Sequence, residues 1–193
     1  MPLLVAAALP PGSLRAIDQP RLTVDDRLVL RPWRADDAAF VRAAFECPAI
    51  QRWHVRRMDT DEEACAWVAG WRTRWQGETD ASWAIVGRHD DQPVGQVGLR
   101  TVELAQASAQ LSYWVAPAGR GAGVAVRAVR AVVRWSFDVV GLNRLYLQHS
   151  TANAASCRVA GKAGFGVEGT LRAATLHADG WHDMHQHARL RAD

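Results

Sequence analysis

The chain contains few cysteines and no dense run of basic residues, and each absence narrows the choice of function. Its three cysteines lie far apart and form no Cys-x-x-Cys pair, so we expect reduced thiols and neither a disulfide framework nor a zinc site. The net charge of +3 is spread along 193 residues, and nearly all of the 23 Lys and Arg residues are arginine. Because no basic patch results, we expect no nucleic-acid partner.

The chain also lacks a long apolar run. Residues 3–9 are apolar, but no basic residue precedes them and Pro10-Pro11 follows at once, so we expect neither a signal peptide nor a membrane partner. The length suits one well-buried domain. We predict a loose N-terminal arm over residues 1–20, able to lie on the partner subunit of a homodimer, and a single domain over residues 21–193.

The most informative segment joins an apolar strand, a glycine-rich loop and an amphipathic helix. The strand ends at Trp114 and Val115, and the loop reads Arg120-Gly121-Ala122-Gly123-Val124-Ala125. Its glycines can adopt positive φ, and a helix start offers unpaired N–H groups and partial positive charge. Neither the Gly-x-Gly-x-x-Gly fingerprint nor a Gly-Lys-Ser/Thr sequence is present. The segment predicts a phosphate cradle, and an ordinary turn into a helix is the alternative.

Hydrophobic periodicity predicts mixed α and β structure with one parallel crossover after Val115. Thr60 and Glu63 form a capping box before a helix whose tryptophans recur every four residues, which favours a buried stripe. The crossover places a ligand at the carboxyl end of its first strand. The predicted strands span residues 27–31, 83–88, 94–104, a run ending at 115, and 145–149; the predicted helices span about 36–45, 60–77, 124–140 and 153–164, and a final hairpin turns at 178–180.

Four blocks in the same order resemble the GNAT superfamily of acetyl-coenzyme A dependent N-acetyltransferases. The loop Arg120–Ala125 fits its Arg/Gln-x-x-Gly-x-Gly/Ala pyrophosphate motif. Residues 153–165 fit the Asn-x-x-Ser and Gly-Phe block of the Rim-type branch, which acetylates ribosomal-protein N-termini, and residues 27–33 and 171–183 resemble that branch too. The resemblance covers the chain from about Thr23 and implies an α+β fold: three αβα layers with a central, mostly antiparallel sheet that is splayed at the cofactor site.

The resemblance implies acetyl-CoA as cosubstrate, no metal, and direct transfer of the acetyl group to an amine. The pantetheine arm would bond to main chain near Trp114 and Val115, where an N–H group would also stabilise the oxyanion. Ser156 would protonate the leaving thiolate and Asn153 would bond to the coenzyme; helix packing and helix N-capping are their alternative roles. The complete predicted coenzyme set is Trp114, Val115, Arg120, Gly121, Ala122, Gly123, Val124, Ala125, Asn153, Ser156 and Lys162.

The identity of the general base is the open point of this chemistry. Some relatives carry a glutamate in the strand after the Gly-Phe pair, but residues 172–175 offer none. We predict Glu103 as the base with Glu168 as a substitute, and we assign His149 either a proton relay or a structural hydrogen bond. An α-amine of pKa near 8 is about 10% neutral at pH 7 and a lysine only about 0.04%, so an N-terminal substrate could be deprotonated by solvent.

In the family that the chain resembles, the segment between the first two helices and the last hairpin build the acceptor site. We predict Trp53, His54, Arg56 and Thr175 as substrate-binding residues, with Arg56 favouring an acidic acceptor; a solvated basic loop is the alternative. The predicted function is acetylation of a primary amine, specifically a protein N-terminal α-amine. The alternatives are an antibiotic or polyamine acetyltransferase and a non-catalytic CoA-binding regulatory module.

The histidine-rich last strand does not predict a metal site. Strand alternation places His185 and His187 on one face and His182 on the other, so at most two of these three converge. Cys157 is predicted to be a packed helical cysteine, and an acyl-carrying nucleophile is the alternative. We therefore expect a metal-free enzyme. Because its cysteines are expected to be reduced, we also expect it in the cytoplasm, and specifically in a bacterium.

Overall fold

The structure, a computed structural model, describes residues 4–193 and is built around one eight-stranded sheet. The strands are β1 (Leu22–Thr23), β2 (Leu28–Pro32), β3 (Ala81–Gly87), β4 (Pro93–Glu103), β5 (Ser108–Val115), β6 (Arg144–Ser150), β7 (Gly166–His177) and β8 (Gly180–Leu190). The helices are α1 (Ala38–Glu46), α2 (Pro48–Gln51), α3 (Asp61–Gln76), α4 (Val124–Trp135) and α5 (Ala154–Lys162). The predicted mixed α and β fold is confirmed, with most element bounds within a few residues.

The two helices that matter most for the argument begin where local sequence signals predict. At α3, the Thr60 hydroxyl accepts the Glu63 main-chain N–H at 3.2 Å, and the Glu63 carboxylate accepts the Thr60 N–H at 3.3 Å. At α4, Gly123 adopts φ +69° and precedes the first helical residue. The helix buries one stripe of valines and continues as a π-helical turn over Ser136–Val140.

The sheet splays at its centre, as the resemblance implies. Its strand order is β1-β2-β3-β4-β5-β6-β8-β7, and only β5 and β6 run parallel. These two strands pair over Ser108–Gln110 and Arg144–Tyr146, whereas β5 continues to Val115 and β6 to Ser150. The remaining halves of the two strands therefore border a gap in the middle of the sheet.

The main-chain N–H and C=O groups of successive β5 residues point alternately to β4 and to the gap. The Ala116 N–H donates to the Val94 carbonyl at 2.9 Å, so the main-chain groups of even-numbered residues of β5 are directed to β4. The main-chain groups of Tyr113 and Val115 consequently point into the gap. Their side chains pack on the face covered by α4 and α5, while Trp114 packs on the opposite face with α1 and α3.

The N-terminal segment differs from the predicted loose arm. Leu14 is completely buried in the main core, and the carboxylate of Glu78 accepts main-chain N–H groups of Gly12 and Leu14 at 2.6 and 2.7 Å. The ring N–H groups of Trp75 and Trp83 donate to carbonyls of residues 17 and 20. These hydrogen bonds each join one polar side chain to the main chain of the N-terminal segment. The segment has no hydrophobic periodicity, so its sequence gives no sign that it is attached to the domain. Residues 1–3 of the predicted arm lie outside the described residues.

Candidate active site

A cavity of about 330 Å³ opens at the splay between β5 and α5. It adjoins a second cavity of about 190 Å³ that extends between β5 and β6 toward the last hairpin. Five residues line both cavities, which makes them parts of one cleft: Trp53, His54, Tyr113, Asn153 and Ser156. The cleft is placed to receive a long, partly apolar ligand along the open edge of β5.

The glycine-rich loop forms the rim of this cleft. Gly121 and Gly123 have φ values of +83° and +69°, and a Cβ atom built on either glycine would meet no other atom within 4 Å. The loop therefore presents open main chain in front of the first turn of α4, which is the arrangement that binds phosphate. Arg120 bends toward the cleft, where its Nε donates to the Val115 carbonyl at 3.0 Å. Val115, Arg120 and Ala125 line the first cavity.

Asn153 and Ser156 occupy the first turn of α5 and face β5 across the cleft. The Asn153 side-chain oxygen accepts the Ser156 N–H at 3.1 Å. Asn153 therefore caps the N-terminus of α5, which is one of the two roles that the sequence allowed. The Ser156 hydroxyl lies 2.6 Å from the Tyr113 hydroxyl. Burial raises the pKa of Tyr113 to about 12, so this phenol keeps its proton at neutral pH. Two protonated hydroxyl groups thus lie together beside the gap.

Trp53 and His54, two of the predicted acceptor residues, form the far wall of the cleft. Burial, together with the nearby charges of Arg100 and Arg56, lowers the pKa of His54 to about 4, and its Nδ1 is buried without a hydrogen-bond partner. His54 therefore contributes a neutral imidazole to the cleft wall. The Arg100 guanidinium donates to the Ser112 hydroxyl at 3.2 Å and brings positive charge to this side of the cleft.

Comparison with known proteins identifies the family of the chain. Residues 27–166 match the family described as the Acetyltransferase (GNAT) domain. The chain belongs to the GNAT acetyltransferases. The strand, glycine-rich loop and helix that form the cleft are thus the elements that the sequence resemblance identified, and the predicted N-acetyltransferase class is confirmed.

Individual relatives support the Rim-type branch of the GNAT acetyltransferases. The Bacillus subtilis protein named Uncharacterized N-acetyltransferase YoaA is 28% identical over 76% of this chain and 84% of its own length. The Escherichia coli Ribosomal-protein-serine acetyltransferase is 26% identical over 52% of this chain and 56% of its own length. The structure of RimL, a ribosomal L7/L12 alpha-N-protein acetyltransferase in complex with coenzyme A, matches with a TM-score of 0.84 at 20% identity, covering 90% of this chain and all of that chain.

A second structural neighbour also contains the predicted cosubstrate. The microcin C7 self immunity acetyltransferase MccE, in complex with acetyl-CoA and AMP, matches with a TM-score of 0.81 at 16% identity, over 86% of this chain and 94% of that chain. At these identities the structural matches show the fold. In the part of the GNAT chain that the structure describes, no helix has the length and apolarity to cross a membrane.

The predicted base of this GNAT enzyme, Glu103, lies at the wrong end of the sheet. Glu103 pairs with Ser108, next to the turn between β4 and β5, whereas the cleft lies around Tyr113 and Val115. The second cavity begins at Gln110, two positions after Ser108, and seven residues of extended strand, about 23 Å, separate Ser108 from Val115. Glu103 is exposed and lines neither cavity, so its role as the base stays a prediction that the structure does not support.

Its substitute, Glu168, is also unsuitable as a base. The Arg144 guanidinium donates to the Glu168 carboxylate at 2.7 Å, and this pairing lowers the pKa of Glu168 to about 2. The residue lies on the edge strand β7, away from both cavities. A carboxylate that is held in an ion pair at that pKa is a very weak proton acceptor.

Three further predicted residues lie outside the cleft. Lys162 is in the last turn of α5, nine positions and about 13 Å along the helix from Asn153. Arg56 is exposed and affects the site through its charge on His54. Thr175 pairs with β8 and does not line either cavity, whereas His177, two residues later, lines the second one.

Sequence reasoning missed Tyr113 and interpreted His149 only partly. Tyr113 directly precedes two predicted coenzyme residues, so strand alternation could have shown that its side chain faces α5. His149 is buried, and its Nδ1 donates to the Ser150 carbonyl at 2.8 Å. This bond is the structural role that the sequence analysis gave as one of two, and burial lowers the pKa of His149 although the bond raises it.

Proposed function

We propose that this GNAT enzyme transfers the acetyl group of acetyl-CoA to the N-terminal α-amine of a protein. The observation that carries the proposal is the chemistry of the cleft wall. Among residues 4–193, none of those lining the two cavities is an aspartate, glutamate or lysine. The cleft thus provides no carboxylate to deprotonate a charged amine or to bind it as a cation.

The cost of deprotonation then favours an α-amine over a lysine. At pH 7 the neutral form costs about 1.4 kcal/mol for an amine of pKa near 8 and about 4.6 kcal/mol for one of pKa 10.4. Solvent can supply the neutral α-amine at that cost without a protein base. The names of the ribosomal-protein acetyltransferase relatives support the same acceptor class.

The coenzyme follows the open edge of β5 in this proposal. The pyrophosphate binds at the main chain of Gly121 and Gly123, and the pantetheine arm bonds to the main-chain groups of Tyr113 and Val115 that point into the gap. The Val115 N–H lies on this edge and stabilises the oxyanion that forms at the thioester carbonyl, a contribution of about 3 kcal/mol. Asn153 borders the same path from α5.

The proposed reaction balances with the Tyr113 and Ser156 pair as acid. The neutral amine attacks the thioester carbonyl carbon, and collapse of the tetrahedral adduct breaks the C–S bond. The ammonium of the adduct loses one proton to water. The thiolate takes a proton from the Ser156 hydroxyl, which takes the proton of Tyr113, and the phenolate recovers a proton from solvent. The products are an N-acetyl amide and free coenzyme A.

The position of the acetyl group on a two-amine peptide tests the proposal. A peptide with a free N-terminus and one internal lysine is incubated with acetyl-CoA, and the product is sequenced by tandem mass spectrometry. We expect acetylation of the α-amine with the lysine unmodified. A peptide acetylated on lysine would overturn the acceptor assignment, and turnover confined to polyamines or aminoglycosides would favour a small-molecule acetyltransferase.

A further inference from the structure

Four side chains with metal-binding atoms converge beneath α5, outside the proposed transfer chemistry. They are His149 from β6, Cys157 from α5, and His185 and His187 from β8. The four ligand atoms all lie within 4.8 Å of one another. In a tetrahedral zinc site with one thiolate and three imidazoles, such atoms lie about 3.3 to 3.6 Å apart, so modest side-chain movement completes the geometry.

The strand register explains the convergence. His149 pairs with His185, and Leu147 pairs with His187, so these side chains share the face of the sheet that α5 covers. The ring centroid of His149 lies 5.0 Å from that of His187 and 5.5 Å from that of His185. Three imidazoles from two neighbouring strands and one thiol from the covering helix thus surround a common point.

The hydrogen bonds of His149 orient it as a ligand. Its Nδ1 donates to the Ser150 carbonyl, which leaves the lone pair of Nε2 directed into the cluster. That nitrogen accepts a hydrogen bond from Nε2 of His187 at 3.0 Å, and a metal bound between the two nitrogens would replace this bond. A carbonyl that accepts the other ring N–H is the usual partner of a metal-bound histidine.

The cluster also contains a buried polar atom without a partner. Nδ1 of His185 is buried and makes no hydrogen bond. Buried nitrogens of this kind are costly unless a partner satisfies them.

We propose that His149, Cys157, His185 and His187 bind one Zn²⁺ ion. The mixture of one thiolate and three imidazoles suits zinc among the common biological metals. The ion does not take part in acetyl transfer; it fastens α5 to β6 and β8. Such an attachment is useful because Ala160 is the one residue of α5 that is fully buried, while the same helix carries Ser156 at the cleft.

Metal content and cobalt spectroscopy test the site without reference to activity. Untagged protein is treated with a chelator, dialysed, and titrated with Zn²⁺ or Co²⁺. We expect one equivalent of zinc by elemental analysis and a higher Tm with zinc than without. We expect Co²⁺ to give the visible bands of a tetrahedral ion and a near-ultraviolet thiolate-to-cobalt band. Protein that binds neither ion and keeps its Tm would overturn the proposal.

Matched variants locate the ion. Cys157→Ser should remove the thiolate-to-cobalt band and weaken zinc binding at least tenfold, whereas Cys65→Ser, which changes an exposed cysteine elsewhere, should retain both. His185→Asn should weaken zinc binding similarly, with His89→Asn as its control. Circular dichroism of each variant verifies the fold. Unchanged zinc affinity in folded Cys157→Ser and His185→Asn would show that the ion lies elsewhere and contradict the assignment. Failure of acetyl transfer would leave this test unaffected.

Discussion

The hydroxyl groups of Tyr113 and Ser156 lie 2.6 Å apart, although 43 positions separate the two residues in the chain. One residue belongs to the strand that borders the gap, and the other to the first turn of the helix across it. Since burial raises the pKa of Tyr113 to about 12, the pair holds its protons throughout the neutral range. In the proposed reaction, this contact makes the acid a two-residue relay in place of Ser156 alone.

Removing either hydroxyl should slow the chemical step. Because general acid catalysis contributes about 10² to 10⁴-fold, we expect Ser156→Ala and Tyr113→Phe each to lower kcat by at least about 10²-fold. The double variant should be little worse than either single variant, because the two groups act as one unit. The acetyl-CoA Kd, measured by calorimetry, should change less than about threefold. Tyr146→Phe is the matched control, and a wild-type kcat in Ser156→Ala would leave that hydroxyl a packing group.

A negative charge in the loop should prevent coenzyme binding. Ala122 is exposed between Gly121 and Gly123 and has no positive φ, so Ala122→Glu adds charge without backbone strain. We expect at least about a tenfold rise in the acetyl-CoA Kd because a carboxylate opposes the pyrophosphate. Ala105→Glu adds the same charge to an exposed position far from the cleft and should bind normally. Equal affinity in both variants would remove the phosphate assignment from this loop.

The pH dependence of kcat/KM should follow the acceptor amine. The rate should rise with pH on a pKa near 8, because the neutral α-amine is the reactive form. The acid must be protonated to act. Because the pKa of Tyr113 is raised to about 12, the phenol loses its proton only above the pH range of the assay. His54, with a pKa of about 4, stays neutral from pH 6 upward. A profile that falls between about pH 8 and 10 would indicate a different acid.

The N-terminal segment should contribute to stability. Leu14 is completely buried, so Leu14→Ala should lower the free energy of unfolding by about 2 to 5 kcal/mol. Leu4 is fully exposed, and Leu4→Ala should leave that free energy unchanged within about 0.5 kcal/mol. Urea denaturation measures both variants. Equal midpoints for the two would mean that the segment is not anchored through Leu14.

Local signals in the sequence were enough to predict much of this fold. The capping box of Thr60 and Glu63 predicted the start of α3, and the alternation of loop glycines and the helix behind them predicted the rim of the cleft. Both depend on residues within a few positions of one another. The order of strands and helices follows from periodicity for the same reason.

Contacts that depend on register or on distant segments could not be predicted in this way. The Tyr113 and Ser156 pair requires the separation between β5 and α5, and the histidine cluster requires the pairing of β6 with β8. The prediction for Glu103 is a different case. Its place beside the turn that leads into β5 separates it from Val115 by the length of that strand, so attention to the hairpin would have made it a weaker candidate.

The most direct measurement of the central claim is coenzyme A release with two forms of one peptide. The first form has a free α-amine, and the second is identical but N-formylated, with its lysine retained. We predict saturable release with the free peptide, and with the formylated twin a kcat/KM lower by at least about 10²-fold, because the remaining amine is almost fully charged. Equal release from both peptides, or release from neither with acetyl-CoA bound, would contradict the assignment of a protein N-terminal acetyltransferase.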